Sequence, residues 1–348
     1  MKRIVLVLAI LIYMGITWAA PDFTATNETS LTMEAGDSNV FLNFTVNNGD
    51  ATENITQVNF TLPNVLTFIS GSNGTSANAV FYNTTSNLTW ENTTVLIENG
   101  TLERFWFNVS VGTTVGSYNI TITVANSTGG TNQTNISITV QDTTPPSVTI
   151  ISPTNTTYSN SNLVINTSVT DIVGVGAVIA EINGTVNVTL QNQPGTNYWN
   201  ATYTFSDGSN TIRIYANDTS GNVNSTETVT FTVDTTPPTI TIYSPQNLTY
   251  TSSSVDLNVS ANEAINTWWY SLDGGANTTF VPNITLTGLT DGQRQVIVYA
   301  NDSVGNVGTN SVYFTVDANP PAVNYIPPTQ DDHANLSQDW AYVNVSVS

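Results

Sequence analysis

The chain has 348 residues, with 25 Asp and Glu against 5 Lys and Arg, a formal net charge of −20 and no cysteine. So acidic a surface excludes a nucleic-acid partner, which needs a basic patch to displace counterions. Without cysteine there are no disulfide staples, so stability rests on hydrophobic cores, and the length can fill three.

Lys2-Arg3, the apolar run Ile4 to Ile16 and Thr17-Trp18-Ala19-Ala20 read as a signal peptide over residues 1–20. The apolar run is short for an uncleaved anchor. Cleavage removes two cations, takes the charge from −20 to −22, and leaves Arg104, Arg213 and Arg294 as the only residues of the Lys/Arg type. No later segment is apolar enough to cross a bilayer, so no membrane insertion is expected of the mature segment. About 28 Asn-X-Ser/Thr triplets run from Asn27-Glu28-Thr29 to Asn344-Val345-Ser346, over twice the number chance would place. Such acceptors need a secretory route and a solvent-facing surface, so a secreted, cell-surface glycoprotein is expected. With cysteine absent, the pattern points to an archaeal surface protein.

Residues 21–141 read as a first β-sandwich. In Leu42-Asn43-Phe44-Thr45-Val46 the apolar residues share one face of a strand, and Asn43 and Thr45 share the other. The pattern recurs at Asn59-Phe60-Thr61-Leu62, Asn119-Ile120-Thr121-Ile122, Asn135-Ile136-Ser137-Ile138 and, further on, Leu257-Asn258-Val259-Ser260. Candidate glycan acceptors are Asn43, Asn59, Asn119, Asn135, Asn166, Asn217, Asn258 and Asn301. The plainer alternative is that these asparagines fill polar outer faces. Val46-Asn47-Asn48-Gly49-Asp50, Val58 to Pro63, Leu66-Thr67-Phe68, Leu88-Thr89-Trp90, Phe105-Trp106-Phe107 and Gly116 to Thr121 resemble the DUF11/CARDB type of extracellular Ig-like module.

An internal repeat follows. Asp142-Thr143-Thr144-Pro145-Pro146 returns as Asp234-Thr235-Thr236-Pro237-Pro238 and, more loosely, as Asp317-Ala318-Asn319-Pro320-Pro321. Tyr215 to Val223 matches Tyr299 to Val307, Phe231-Thr232-Val233-Asp234 matches Phe314-Thr315-Val316-Asp317, and Asp207-Gly208 matches Asp291-Gly292. The period is roughly 85–90 residues, the size of one sandwich. In residues 142–234, strands are predicted near 147–151, 163–170, 176–182, 186–191, 198–205, 210–217 and 226–233; residues 235–317 repeat the plan. The Asp-Thr-Thr-Pro-Pro opening, the Tyr-Ala-Asn-Asp-X-X-Gly-Asn loop and the Phe-Thr-Val-Asp close resemble the bacterial and archaeal Ig-like (Big-type) repeats of surface proteins. The resemblance implies an all-β fold of tandem immunoglobulin-like β-sandwich domains in a rod, each repeat adding roughly 35–40 Å. Residues 318–348 start a third repeat and stop within its second strand, near Val343 to Val347, so a longer protein with a poorly packed tail here is expected.

Catalysis finds little support, and the chain is not expected to be an enzyme. The single histidine, His333, sits in a Pro-rich loop, and with no cysteine the usual nucleophilic and zinc schemes lack residues. Tryptophans are expected to fill cores. Trp268 and Trp269 must point to opposite faces of one strand, so one of them is a candidate partner surface. The sharpest site expectation is structural Ca²⁺ at the domain junctions, no cofactor otherwise being required. In an Ig-like sandwich the opening linker, the loop after the second strand and the loop before the last strand share one pole. This gathers Asp142, Asp171 and Asp218 in the first repeat and Asp234, Glu263 and Asp302 in the second, hard oxygen ligands of the kind Ca²⁺ takes. The competing reading is that these acids only close turns. The expected function is a structural or adhesive role at the cell exterior, with other surface proteins, glycans or further copies of itself as partners. The alternatives are a stalk or substrate-binding part of an extracellular hydrolase, and a self-assembling surface-layer or filament subunit.

Overall fold

The computed structural model describes residues 31–49 and 53–319, and beyond them the strands Val323–Tyr325 and Val345–Val347. The predicted signal peptide, His333 and Trp340 lie outside the described residues. Every regular element described is a strand, and the fold is all-β, with tandem Ig-like β-sandwich domains. Among the described residues no helix is long and apolar enough to cross a membrane. The chain divides into two compact units. One is built on residues up to Thr154 with Val164–Tyr203 and Thr211–Thr230, the other on Asn155–Leu163, Thr204–Asn210 and the residues from Phe231.

In the first unit, one sheet runs in the order Leu31–Glu34, Thr131–Gln141, Gly116–Asn126, Ile55–Thr61, Asn87–Glu91, Val80–Asn83. The other runs Val40–Asn47, Leu102–Val111, Leu66–Phe68, with Gly74–Thr75 also on Leu102–Val111. The pleat sends alternate residues inward, so Phe105, Phe107, Val109 and Val111 are buried while Trp106 and Asn108 face out half-buried. Phe60 sits at the centre of the core, its ring 4.9 Å from Phe44, 5.5 Å from Trp90 and 5.5 Å from Phe107. Tilted and edge-on aromatic pairs of this kind add about 0.5–1.5 kcal/mol each beyond the area they bury. On the outer face Gly74 lies opposite Trp106, where an added Cβ would come within 2.4 Å of the indole.

The predicted strands of the first repeat are all present, each within two residues of its expected bounds. Ser147–Ser152, Asn162–Thr170, Tyr198–Thr204 and Gln191–Asn192 form one sheet; Thr157–Tyr158, Thr228–Val233, Gly208–Asp218, Val175–Ile182 and Val186–Thr189 run side by side in the other. The segment expected as one strand over 186–191 is two. Leu190 is buried where the chain leaves one sheet, its N–H donating to the Val178 carbonyl, and Gln191–Asn192 pairs in the other sheet. Thr157–Tyr158 and Val223–Asn224 were not foreseen, because two residues carry no alternation to read. The first unit buries Ile165, Val169, Val178, Ile182, Ile212 and Ile214 from these strands. In the second unit Phe205 and Tyr158 meet Phe231 edge-on at 5.0 and 5.8 Å.

The second unit also holds the sandwich of the second repeat. Ile240–Ser244, Val255–Ala261 and Ile284–Leu286 form one sheet; Thr249–Tyr250, Val307–Val316, Gly292–Asn301, Thr267–Leu272 and Thr278–Phe280 form the other. Leu257, Val296, Val298, Ala300 and Phe314 are buried between them. A device recurs in all three sandwiches: a short strand near the start pairs parallel with the closing one, Leu31 opposite Ile138, Thr157 opposite Thr232 and Thr249 opposite Thr315. In the two repeats the first strand bulges after Ile150 and Ile242, ahead of the Ser152–Pro153 and Ser244–Pro245 peptide bonds, and the chain then changes sheet. Trp268 and Trp269 do point to opposite faces. Trp268 packs on the core, while Trp269 lies half-buried against its cross-strand neighbour Tyr299, rings 5.7 Å apart and 7° from parallel, so it is not bare. Beyond this sandwich, Val323–Tyr325 pairs antiparallel with Val345–Val347.

Candidate metal centres

The structure brings each predicted triad together. Asp142, Asp171 and Asp218 can each present a carboxylate oxygen within 4.8 Å of the other two, and so can Asp234, Glu263 and Asp302. A cation bound at 2.3–2.6 Å by oxygens on opposite sides separates them by roughly 5 Å, so both spacings suit Ca²⁺.

Each first-repeat acid stands where a strand gives way to a turn. Asp142 follows Thr131–Gln141, and its Oδ1 accepts from Thr144 N–H at 3.1 Å. Pro145 and Pro146 come next, have no N–H to give, and keep the linker extended. Asp171 follows Asn162–Thr170 and accepts from the N–H groups of Val173 and Gly174 at 2.8 and 2.9 Å, both on Oδ1. Asp218 ends Gly208–Asp218 and is 1% exposed. Its Oδ1 accepts from the N–H groups of Ser220 and Asn222 at 2.9 and 2.8 Å, and its Oδ2 from the Asn222 amide at 2.7 Å. Asn222 Nδ2 also donates to the Asp142 carbonyl at 2.9 Å, and Ser220 Oγ donates to Asp142 Oδ2 at 3.0 Å.

The second repeat repeats the wiring. Asp302 Oδ1 accepts from Val304, Gly305 and Asn306 N–H at 2.9, 2.7 and 2.9 Å, and Asn306 Nδ2 joins Asp302 Oδ2 at 2.8 Å to the Asp234 carbonyl at 2.7 Å. Burial opposes the charged form of Asp218 and Asp302, but the hydrogen bonds from Asn222 and Asn306 and from the loop N–H groups outweigh it, and both carboxyls sit below the ordinary aspartate value. The loop approaches its linker closely. An added Cβ on Gly308 would stand 1.9 Å from the Pro238 carbonyl oxygen, where the first repeat instead has Asn224 donating to the Pro146 carbonyl at 2.8 Å.

Sequence reasoning named the carboxylates but not the amides that tie them to the linkers. The signal was the Gly-Asn pair closing both Asp-X-X-Gly-Asn loops. It also missed the role of the matched Asp-Gly turns. Asp207 accepts from Thr235 N–H and from the Thr235 and Thr236 hydroxyls, and Asp291 accepts from Ala318 N–H and the Asn319 amide. The hydroxyls of Thr236 and Thr235, and the Ala318 N–H with the Asn319 amide, hold these two carboxyls low. The candidate glycan acceptors are not entombed: Asn119 and Asn135 are exposed, and Asn43, Asn59, Asn166, Asn217, Asn258 and Asn301 are half-buried. The Oδ1 atoms of Asn43, Asn166 and Asn301 are themselves buried without a partner.

Residues 196–265 match the family model of the bacterial Ig-like domain (group 3). The chain is 44% identical over 96 residues to Halomucin of Haloquadratum walsbyi, a match covering 25% of this chain and 1% of Halomucin, so it spans a very small part of that relative's length. Among solved structures, the Escherichia coli adhesin FdeC is 14% identical with a TM-score of 0.38, over 83% of this chain and 96% of that one. Domains A168–A170 of titin are 10% identical with a TM-score of 0.35, over 75% of this chain and all (100%) of that one.

Proposed function

We propose that the chain is part of a secreted, N-glycosylated cell-surface protein whose Ig-like sandwiches serve a structural or adhesive role without catalysis, and whose two carboxylate triads hold Ca²⁺. The observation that carries the cation reading is the duplication: three carboxylates from the same three places in each repeat, each set within 4.8 Å. The surface reading draws on the Ig-like match, the likeness to Halomucin and the density of Asn-X-Ser/Thr triplets. On the same reading residues 21–141 are a DUF11/CARDB-like module. Its partners would be other surface proteins, glycans or further copies of the chain.

A second reading of the triads has its own support. Nearly every contact of Asp171, Asp218 and Asp302 is with an N–H of its own turn, so the carboxylates serve as turn closures and linker clamps with no ion needed. Calcium titration of thermal unfolding separates the two. For the surface reading, antibody raised against the chain should label intact cells of the source organism; label confined to permeabilised cells overturns it.

A further inference from the structure

The Asn-X-Ser/Thr triplets do not all stand in the same geometry. In Asn126-Ser127-Thr128 the asparagine Oδ1 accepts from Thr128 N–H at 3.2 Å, from the Thr128 hydroxyl at 3.0 Å and from Gly130 N–H at 2.7 Å, while Nδ2 donates to the Glu53 carboxylate. In Asn224-Ser225-Thr226, Oδ1 accepts from the N–H and hydroxyl of Thr226, both at 2.9 Å, and Nδ2 donates to the Pro146 carbonyl at 2.8 Å. In Asn92-Thr93-Thr94, Oδ1 accepts from the N–H and hydroxyl of Thr94 at 3.0 and 2.9 Å, and Nδ2 donates to the Asn78 carbonyl at 2.8 Å. All three are one motif. The third residue of the triplet closes an Asx turn on the first with both its N–H and its hydroxyl, and the amide nitrogen reaches across to a distant segment.

We propose that Asn92, Asn126 and Asn224 are turn-building residues that carry no glycan, and that the sugars ride on exposed acceptors such as Asn119, Asn135, Asn187 and Asn247. This rests on the glycoprotein reading above and sorts its sites. Glycan transfer joins Nδ2 to the anomeric carbon of a phosphate-activated oligosaccharide. The bond from that carbon to the phosphate oxygen breaks, the oxygen keeps the electron pair, and one amide proton leaves to a base of the transferase. The nitrogen must therefore meet solvent and keep room for a saccharide. Asn126 is 6% exposed, and a single Cβ added at Gly130 would already stand 2.9 Å from its Nδ2, so a sugar there has no path without opening the loop. At Asn135 the neighbouring strand engages the other amide atom: the Thr121 hydroxyl donates to Oδ1 at 2.8 Å, and the residue is exposed.

The test has two arms on the full chain. In the first, protein secreted by an N-glycosylating host is digested and its glycopeptides are read by mass spectrometry. Glycopeptides are expected at the exposed acceptors and none at Asn92, Asn126 or Asn224; occupancy of Asn126 or Asn224 equal to that of Asn119 overturns the sorting. In the second, protein from a host without N-glycosylation is melted. Asn126→Ala should lower the midpoint of its domain by at least about 4 °C and Asn119→Ala should leave it unchanged; a silent Asn126→Ala overturns the turn-building role. A chain with no glycan at any asparagine sinks the glycoprotein reading and the acceptor assignment with it, and the second arm still decides the turn.

Discussion

Asp171→Asn separates an ion site from a turn, because both of the turn's hydrogen bonds go to Oδ1, an atom asparagine keeps. The change removes one charge of three. With the oxygens within 4.8 Å of one another, each carboxylate pair repels by about 3.5 kcal/mol at that outer limit for an effective dielectric of about 20, and by less where solvent reaches the half-buried Asp171. Without calcium the variant should therefore melt at or slightly above the parent. With calcium the order reverses. Extracellular modules bind Ca²⁺ with Kd of about 10⁻⁴–10⁻³ M, so about 10 mM ion stabilises the parent by about 1.4–2.7 kcal/mol. For a sandwich of this size that is a rise of roughly 6–20 °C. Losing a charged ligand and about a hundredfold in affinity leaves the variant about 0.4 kcal/mol at most, or some 2–3 °C. The assay is calorimetric unfolding of the full chain in chelator and in 10 mM calcium at matched ionic strength. A parent midpoint that calcium does not move refutes the ion site, and an Asp171→Asn that responds as the parent does refutes the ligand assignment.

Other consequences follow from single contacts. Gly308→Ala forces a Cβ to 1.9 Å from the Pro238 carbonyl oxygen, so the backbone must move, and the second-repeat sandwich should lose about 1–3 kcal/mol or more; a midpoint within 1–2 °C of the parent would show the approach to be looser than described. Phe60→Ala empties the centre of the aromatic core and should cost the first sandwich about 3–5 kcal/mol by denaturant titration, while the two repeats unfold as before. Asp218 and Asp302 have carboxyls held below the ordinary 3.8, so their contribution is intact above that value and is lost as pH falls through the lowered folded values. Midpoints should thus fall steeply below about pH 4, and the double variant Asp218→Asn/Asp302→Asn, less stable at neutral pH, should lose less over that range; equal slopes would exclude these two groups as the cause.

Much of this architecture is legible in the sequence alone. Period-two alternation in stretches such as Leu42 to Val46 and Phe105 to Val111 determines which face is buried, since successive side chains of a strand take opposite sides. The matched linkers, Asp-Gly turns and Asp-X-X-Gly-Asn loops located the repeats, and the shared pole of an Ig-like sandwich then named both triads. What needed the folded chain was whatever depends on neighbours far apart in sequence. That Leu190 divides one expected strand in two, that Tyr299 covers Trp269, and that Asn222 and Asn306 bind linker carbonyls some 70–80 residues away are matters of sheet pairing, and local pattern is blind to them. The same holds for the triplets. Asn119 and Asn126 each head an Asn-X-Thr triplet; Thr128 and Gly130 close the turn on Asn126 from within four residues, but the Glu53 carboxylate that takes its amide nitrogen lies 73 residues away, and only the fold puts it there.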